Sequence, residues 1–129
     1  MTLTFGDEAI PPEEIVLESD CFLFLMREQP ILNGSGIIIP KRFVTTPFDL
    51  SPEEWTDLRT IILQAKDHIE TRHLPDGYNL GWNVGAAAGQ EVDHLHLHII
   101  PRYADEPLAG QGIRYAIKQP ENRRPDANQ

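Results

Sequence analysis

The sequence holds a single cysteine, Cys21, so no intrachain disulfide can form and no cysteine zinc cluster is available. No apolar run reaches the ~18 residues that a membrane-spanning helix requires. The first eight residues lack the basic residues and apolar stretch of a secretion signal; with the lone cysteine, this leads to the expectation of a soluble cytoplasmic protein. Basic residues are scarce: 11 Lys and Arg stand against 20 Asp and Glu, for a net charge of −9. A field of that sign repels polyanions, so neither a nucleic acid polymer nor a membrane is expected as a partner. A small anionic substrate remains open, provided a local site receives it.

What is present fits one globular domain over residues 1–129. The chain is 40% hydrophobic and 24% charged, close to globular averages and long enough for one real core. No internal repeat or low-complexity tract interrupts it. Residues 1–12, with Gly6, Pro11 and Pro12, are expected to form a loose entry segment. Residues 119–129, with Pro120 and Pro125, are expected to form an irregular tail or an arm on a partner.

Between these ends, short apolar runs at 14–18 and 21–26 flank the turn signal Ser19-Asp20 and predict a hairpin. The isoleucine-rich run at 36–40 suits a buried strand. Ser51 is a candidate helix cap, with Pro52 at the first helical position and Glu54 three residues after the cap. Trp55, Leu58, Ile61, Ile62, Ala65 and Ile69 then recur at helical intervals, and Pro75, Asp76 and Gly77 end the pattern. Strands are predicted at 78–84 and, by strict alternation, at 92–101, separated by a small-residue loop at 85–89. The order is strands, one long helix, strands: an α+β antiparallel sheet with a helix packed on it.

The chemistry-bearing stretch is His94, Leu95, His96, Leu97, His98, Ile99, Ile100 and Pro101. On a strand the three histidines share one face, while Leu95, Leu97 and Ile99 face the core. Crowding three titratable rings on one face raises the cost of charging them, which argues against a purely structural origin. Two chemistries remain. An adjacent pair of imidazoles could hold a metal ion, but the three span about 13 Å, so a further ligand must come from elsewhere. Alternatively, one imidazole attacks phosphorus and forms a covalent phosphoramidate while a neighbour serves the phosphate oxygens.

This motif resembles the signature of the histidine triad (HIT) nucleotide hydrolases and transferases. The similarity extends in order and spacing to Ile39-Pro40-Lys41-Arg42, to the run from Asp49 to Glu54, to Asn83 through Gln90, and to His94 through Arg102. It is strongest toward small bacterial members and dinucleoside polyphosphate hydrolases. The resemblance implies a sheet of about five antiparallel strands with one long helix, pairing in a homodimer into a ten-stranded sheet. It implies hydrolysis or nucleotidyl transfer at the α-phosphate of a small nucleotide conjugate, with no required cofactor and no metal. His96 would be the nucleotidylated nucleophile, His98 would bind phosphate oxygens, and the backbone carbonyl of His94 would orient the His96 ring. Asn83 and Gln90 would contact phosphates and leaving group, and Gly89 would let backbone approach the phosphate.

The sequence also departs from the family pattern. Ser35 and Phe43 stand where histidines are frequent, and Glu91 stands where a hydroxyl usually assists the leaving group. Arg27 occupies the position of a ribose-binding Asp or Asn. Hydrolysis at phosphorus is therefore better supported than adenosine recognition, and a nucleotide-binding module with weak turnover is the alternative. Arg27 is either a solvated strand-end arginine or a cation that grips a further phosphate or acidic group. Lys41, Arg42 and Arg102 are expected to be ordinary surface charges, His68 and His73 to be exposed, and Trp55 and Trp82 to lie in a core or interface. The basic cluster Arg114, Lys118, Arg123 and Arg124 marks the C-terminal segment as an arm that could reach a partner's site.

Overall fold

A computed structural model describes residues 3–27 and 29–125. Two short strands, β1 (Thr4–Phe5) and β2 (Glu8–Ala9), pair into a ribbon. Then come β3 (Ile15–Glu18), β4 (Phe22–Leu25), β5 (Gly36–Pro40), helix α1 (Pro52–His73), β6 (Gly77–Trp82) and β7 (Leu97–Arg102). The last five strands form one antiparallel sheet in the order β3-β4-β5-β7-β6. This is the α+β plan expected from the sequence. No helix of the described residues is long and apolar enough to cross a membrane.

The helix begins where the capping signal lies. Ser51 Oγ accepts from the Glu54 N–H at 3.1 Å, and the Glu54 carboxylate accepts from the Ser51 N–H at 2.8 Å, which satisfies two otherwise orphaned donors. Arg42 completes the corner: its guanidinium grips both oxygens of Glu54 at 2.8 and 3.1 Å and holds that buried carboxyl below its ordinary range. Arg42 is thus a structural cation rather than a free surface charge. At the other end, Leu74 closes the helix in the left-handed region, with φ at 49°.

Leu58, Ile61, Ala65 and Ile69 of α1 pack against Phe22, Phe24, Ile38, Leu95, Leu97 and Ile99. The alternate residues Leu23, Leu25 and Ile39 are buried on the opposite face, against Ile10, Leu3 and Phe5. β4 is consequently apolar at all four positions, because both of its faces are covered. The N-terminal residues are therefore not the loose entry segment expected for residues 1–12: the described part is a ribbon that roofs the second face. Asp57 of α1 pins the β3–β4 turn, accepting from Ser19 Oγ at 2.6 Å and from the Cys21 N–H at 2.8 Å.

Three further expectations change. The strand over 92–101 begins only at Leu97, and residues 91–96 run as an irregular bend into it. Arg102 is no surface charge. It donates to Glu106, Asn79 and the carbonyls of Leu108 and Gln111, tying the 106–111 turn to the sheet. His68 is half-buried, edge-on to Phe24 with ring centroids 6.1 Å apart. The C-terminal segment continues as exposed 3-10 turns, Ile113–Lys118 and Pro120–Asn122. The remainder of the expected tail, 126–129, lies outside the described residues, as do 1–2 at the other end.

Candidate active site

The triad sits where the 91–96 bend enters β7. Although the strand is short, the side-chain alternation holds: Leu95, Leu97 and Ile99 are buried in the helix-side core, and the three histidines turn toward the ribbon. His94 is only 1% exposed. Its Nδ1 accepts from the Gly6 N–H at 3.0 Å, so the ring proton must be on Nε2, which lies 2.7 Å from the Pro40 carbonyl. Burial pushes the His94 imidazole down from its ordinary value, with a smaller contribution from His96, so it stays neutral at pH 7.

The same logic fixes His96. Its Nδ1 lies 2.9 Å from the His94 carbonyl. A carbonyl only accepts, so Nδ1 carries a proton, and in the neutral ring Nε2 carries the lone pair. His96 is half-buried, and its ring stands edge-on to His98, with centroids 5.0 Å apart. His98 is lowered by burial first and by His96 second, so it too is neutral at pH 7 and has one N–H to donate. Phe5 packs on His94 and His96 at 5.5 and 5.2 Å, and Phe43 meets His94 edge-on at 5.4 Å.

His98 also lines a cavity of about 430 Å³ between the sheet and the ribbon. Phe5, Ile10, Leu25, Ile37 and Ile100 form its apolar walls, and Glu8, Glu14, Arg27, Gln29 and Ser35 supply polar groups. An apolar cleft with a few polar groups beside reactive imidazoles is the usual form of a small-molecule site. A metal would be poorly served. Both His94 nitrogens are engaged, and among the described residues no group of three His, Cys, Asp or Glu is placed to hold an ion.

The other candidates divide. Gly89, with φ at 96°, ends the 3-10 turn Ala86–Ala88, and a Cβ there would lie 3.6 Å from the exposed Asn83 amide. Asn83 and Gly89 are thus neighbours on the loop. Both ends of the Gln90 amide meet backbone groups. Its Oε1 accepts from the Gly85 N–H at 2.8 Å, and its Nε2 faces the carbonyls of Thr45, Val92 and Asp93 at 3.1–3.3 Å. That amide clamps the small-residue loop to the segments on either side of it. Glu91 is exposed, does not line the cavity, and makes no hydrogen bond or ion pair among the described residues. Ser35 Oγ donates to the Leu32 carbonyl at 2.8 Å.

Arg27, expected as a possible phosphate grip, is paired with a carboxylate. Its Nε and Nη2 each donate to Glu14 at 3.2 Å, and Glu8 stands nearby. Two carboxylates outweigh one guanidinium, so this end of the cavity carries a net negative charge and disfavours a further phosphate. Sequence reasoning missed Phe5, Gly6, Ile10 and Glu14. The only local signal was Gly6, whose φ of 61° suits glycine.

The model of the HIT domain family matches residues 9–105 of this chain. The bis(5'-adenosyl)-triphosphatase of Dictyostelium discoideum is 37% identical over 103 residues, covering 79% of this chain and 69% of that protein. The asymmetrical bis(5'-nucleosyl)-tetraphosphatase of Schizosaccharomyces pombe is 43% identical over 74 residues, 57% of this chain and 41% of its own length. Among solved structures, the C. elegans NitFhit protein superposes with a TM-score of 0.74 at 29% identity. The match covers 80% of this chain and 25% of that one. The matched residues contain the whole triad and most of the cavity lining, and on that evidence the chain is a member of the HIT domain family.

Proposed function

We propose that the protein is a hydrolase or nucleotidyl transferase acting at the α-phosphate of a small nucleotide conjugate, of dinucleoside polyphosphate or phosphoramidate type. The carrying observation is the placement of the His96 ring: Nδ1 lies 2.9 Å from the His94 carbonyl, which in the neutral ring leaves the lone pair on Nε2. In this reading Nε2 attacks phosphorus, and the new N–P bond forms as the bond from phosphorus to the leaving group breaks, P–O in a polyphosphate and P–N in a phosphoramidate. The electron pair leaves with that oxygen or nitrogen. Water then adds to phosphorus, the P–N bond breaks with its pair returning to Nε2, and water's proton is released. Neutral His98 donates to a phosphate oxygen, and the apolar cavity receives the nucleoside. The relatives named as adenosyl- and nucleosyl-polyphosphatases support this substrate class.

The test is direct. Incubation with a dinucleoside polyphosphate and with a nucleoside phosphoramidate is expected to give turnover and, after rapid quenching, an intact-mass adduct of one nucleotidyl group. His96→Ala is expected to abolish both. Nucleotide binding without turnover or adduct would refute the reading in favour of a binding module.

We also propose a homodimer through β6. It is an edge strand of the sheet, and edges left bare invite pairing. Trp55, 45% exposed, stacks edge-on against Trp82 of β6 at 6.0 Å, and Leu80, Ile113, Tyr115 and Ile117 are exposed.

A further inference from the structure

The cavity has two chemically different ends, and the far end selects for hydrogen-bond donors. His98 of β7, Ile37 of β5, Leu25 of β4 and Ile15 of β3 are successive cross-strand partners. Three interstrand steps place the β3 row roughly 14 Å from His98. Glu14 directly precedes that row and lines the same cavity. Its side chain is 20% exposed, whereas that of its partner Arg27 is 72% exposed.

A carboxylate offers about four lone-pair positions and no donor. Arg27 fills two, each at 3.2 Å. Such an exposed pair contributes little, so the arginine can be shared or displaced at small cost. We propose that Glu14 is a specificity-determining residue: its carboxylate accepts hydrogen bonds from the hydroxyls of the substrate's sugar. This rests on the reading of the cavity as the nucleoside site. A vicinal diol matches the two oxygens of a carboxylate. A second phosphate does not, because Glu8 and Glu14 together outweigh Arg27.

Calorimetry with ribonucleoside, 2'-deoxy- and 3'-deoxynucleoside monophosphates tests it at equilibrium, independently of turnover. The native protein is expected to bind the ribonucleotide about 10-fold more tightly than either deoxy form, the effect of one charge-assisted bond. Glu14→Leu is expected to bring the three within about 2-fold, with deoxynucleotide binding little changed. Arg27→Met, which keeps the carboxylate, is expected to retain the preference. The proposal is overturned if the native protein shows no preference, or if Glu14→Leu keeps it. It is also overturned if Arg27→Met alone loses it, which would assign the sugar to the guanidinium. If no nucleotide binds, the sugar assignment falls whatever phosphate His96 turns over. Sugar discrimination without a His96 adduct would leave Glu14 standing and remove the covalent reading.

Discussion

Gln90 separates two views of the loop beside the triad. If its amide contacts substrate, removing it lowers activity and leaves stability alone. If it is the clamp described above, stability falls first. Gln90→Ala removes the bond to the Gly85 N–H at 2.8 Å and frees the Thr45, Val92 and Asp93 carbonyls at 3.1–3.3 Å. Two N–H groups serve those three carbonyls, so about three hydrogen bonds are lost. At a net 0.5–1.5 kcal/mol each, and with water reaching this half-exposed site, the expected cost is about 1–2 kcal/mol. Gln90→Glu is the sharper perturbation. It keeps an acceptor for Gly85 but turns a carboxylate oxygen toward three carbonyls, so it is expected to cost more than Gln90→Ala despite being nearly isosteric. Urea unfolding followed by tryptophan fluorescence reads both, as a lower midpoint at constant slope. A Gln90→Glu protein as stable as the native one, or more stable than Gln90→Ala, would refute the clamp.

Two other measurements follow from the buried histidines and the bare β6 edge. His68, His94 and His98 are all held below their ordinary pKa, chiefly by burial. The unfolded chain therefore binds more protons as pH falls below about 6.5, and stability is expected to be full above that value and to decline from there toward pH 5, before Glu54 and Glu106 titrate. Unfolding free energies that are flat or rise over that interval would contradict the burial argument. For the β6 edge, sedimentation equilibrium is expected to give twice the chain mass of 14.6 kDa, and Leu80→Lys to shift it toward the monomer; a native monomer at micromolar concentration would remove the dimer.

Elements whose signal is local were legible in the sequence. The capping box at Ser51 and Glu54, the stripe from Leu58 to Ile69, and the turn at Ser19-Asp20 each depend on residues within one helical stretch or hairpin. Alternation assigned the triad its face even though the strand proper starts only at Leu97. The motif with its flanking residues also carried the family resemblance, because His96 and the His94 carbonyl that its ring meets lie two positions apart. Burial on the second face was not legible. The ribbon reads as a loose lead-in because its apolar residues are few and widely spaced, and only docking on Leu23, Leu25 and Ile39 gives them a core.

The sequence by itself determined the cluster of imidazoles, the sheet-and-helix plan and the face on which those imidazoles lie. These follow from side-chain type and from periods of two and 3.6 residues, which any local stretch of chain obeys. Tertiary structure alone decided the His94 tautomer, because the Gly6 N–H that sets it comes from 88 residues away. It alone turned Gln90 inward as a clamp and paired Glu14 with Arg27 at the far end of the cavity. Such partnerships arise only when strands from distant parts of the chain bring their side chains within 3 Å or so, and no local pattern encodes that distance.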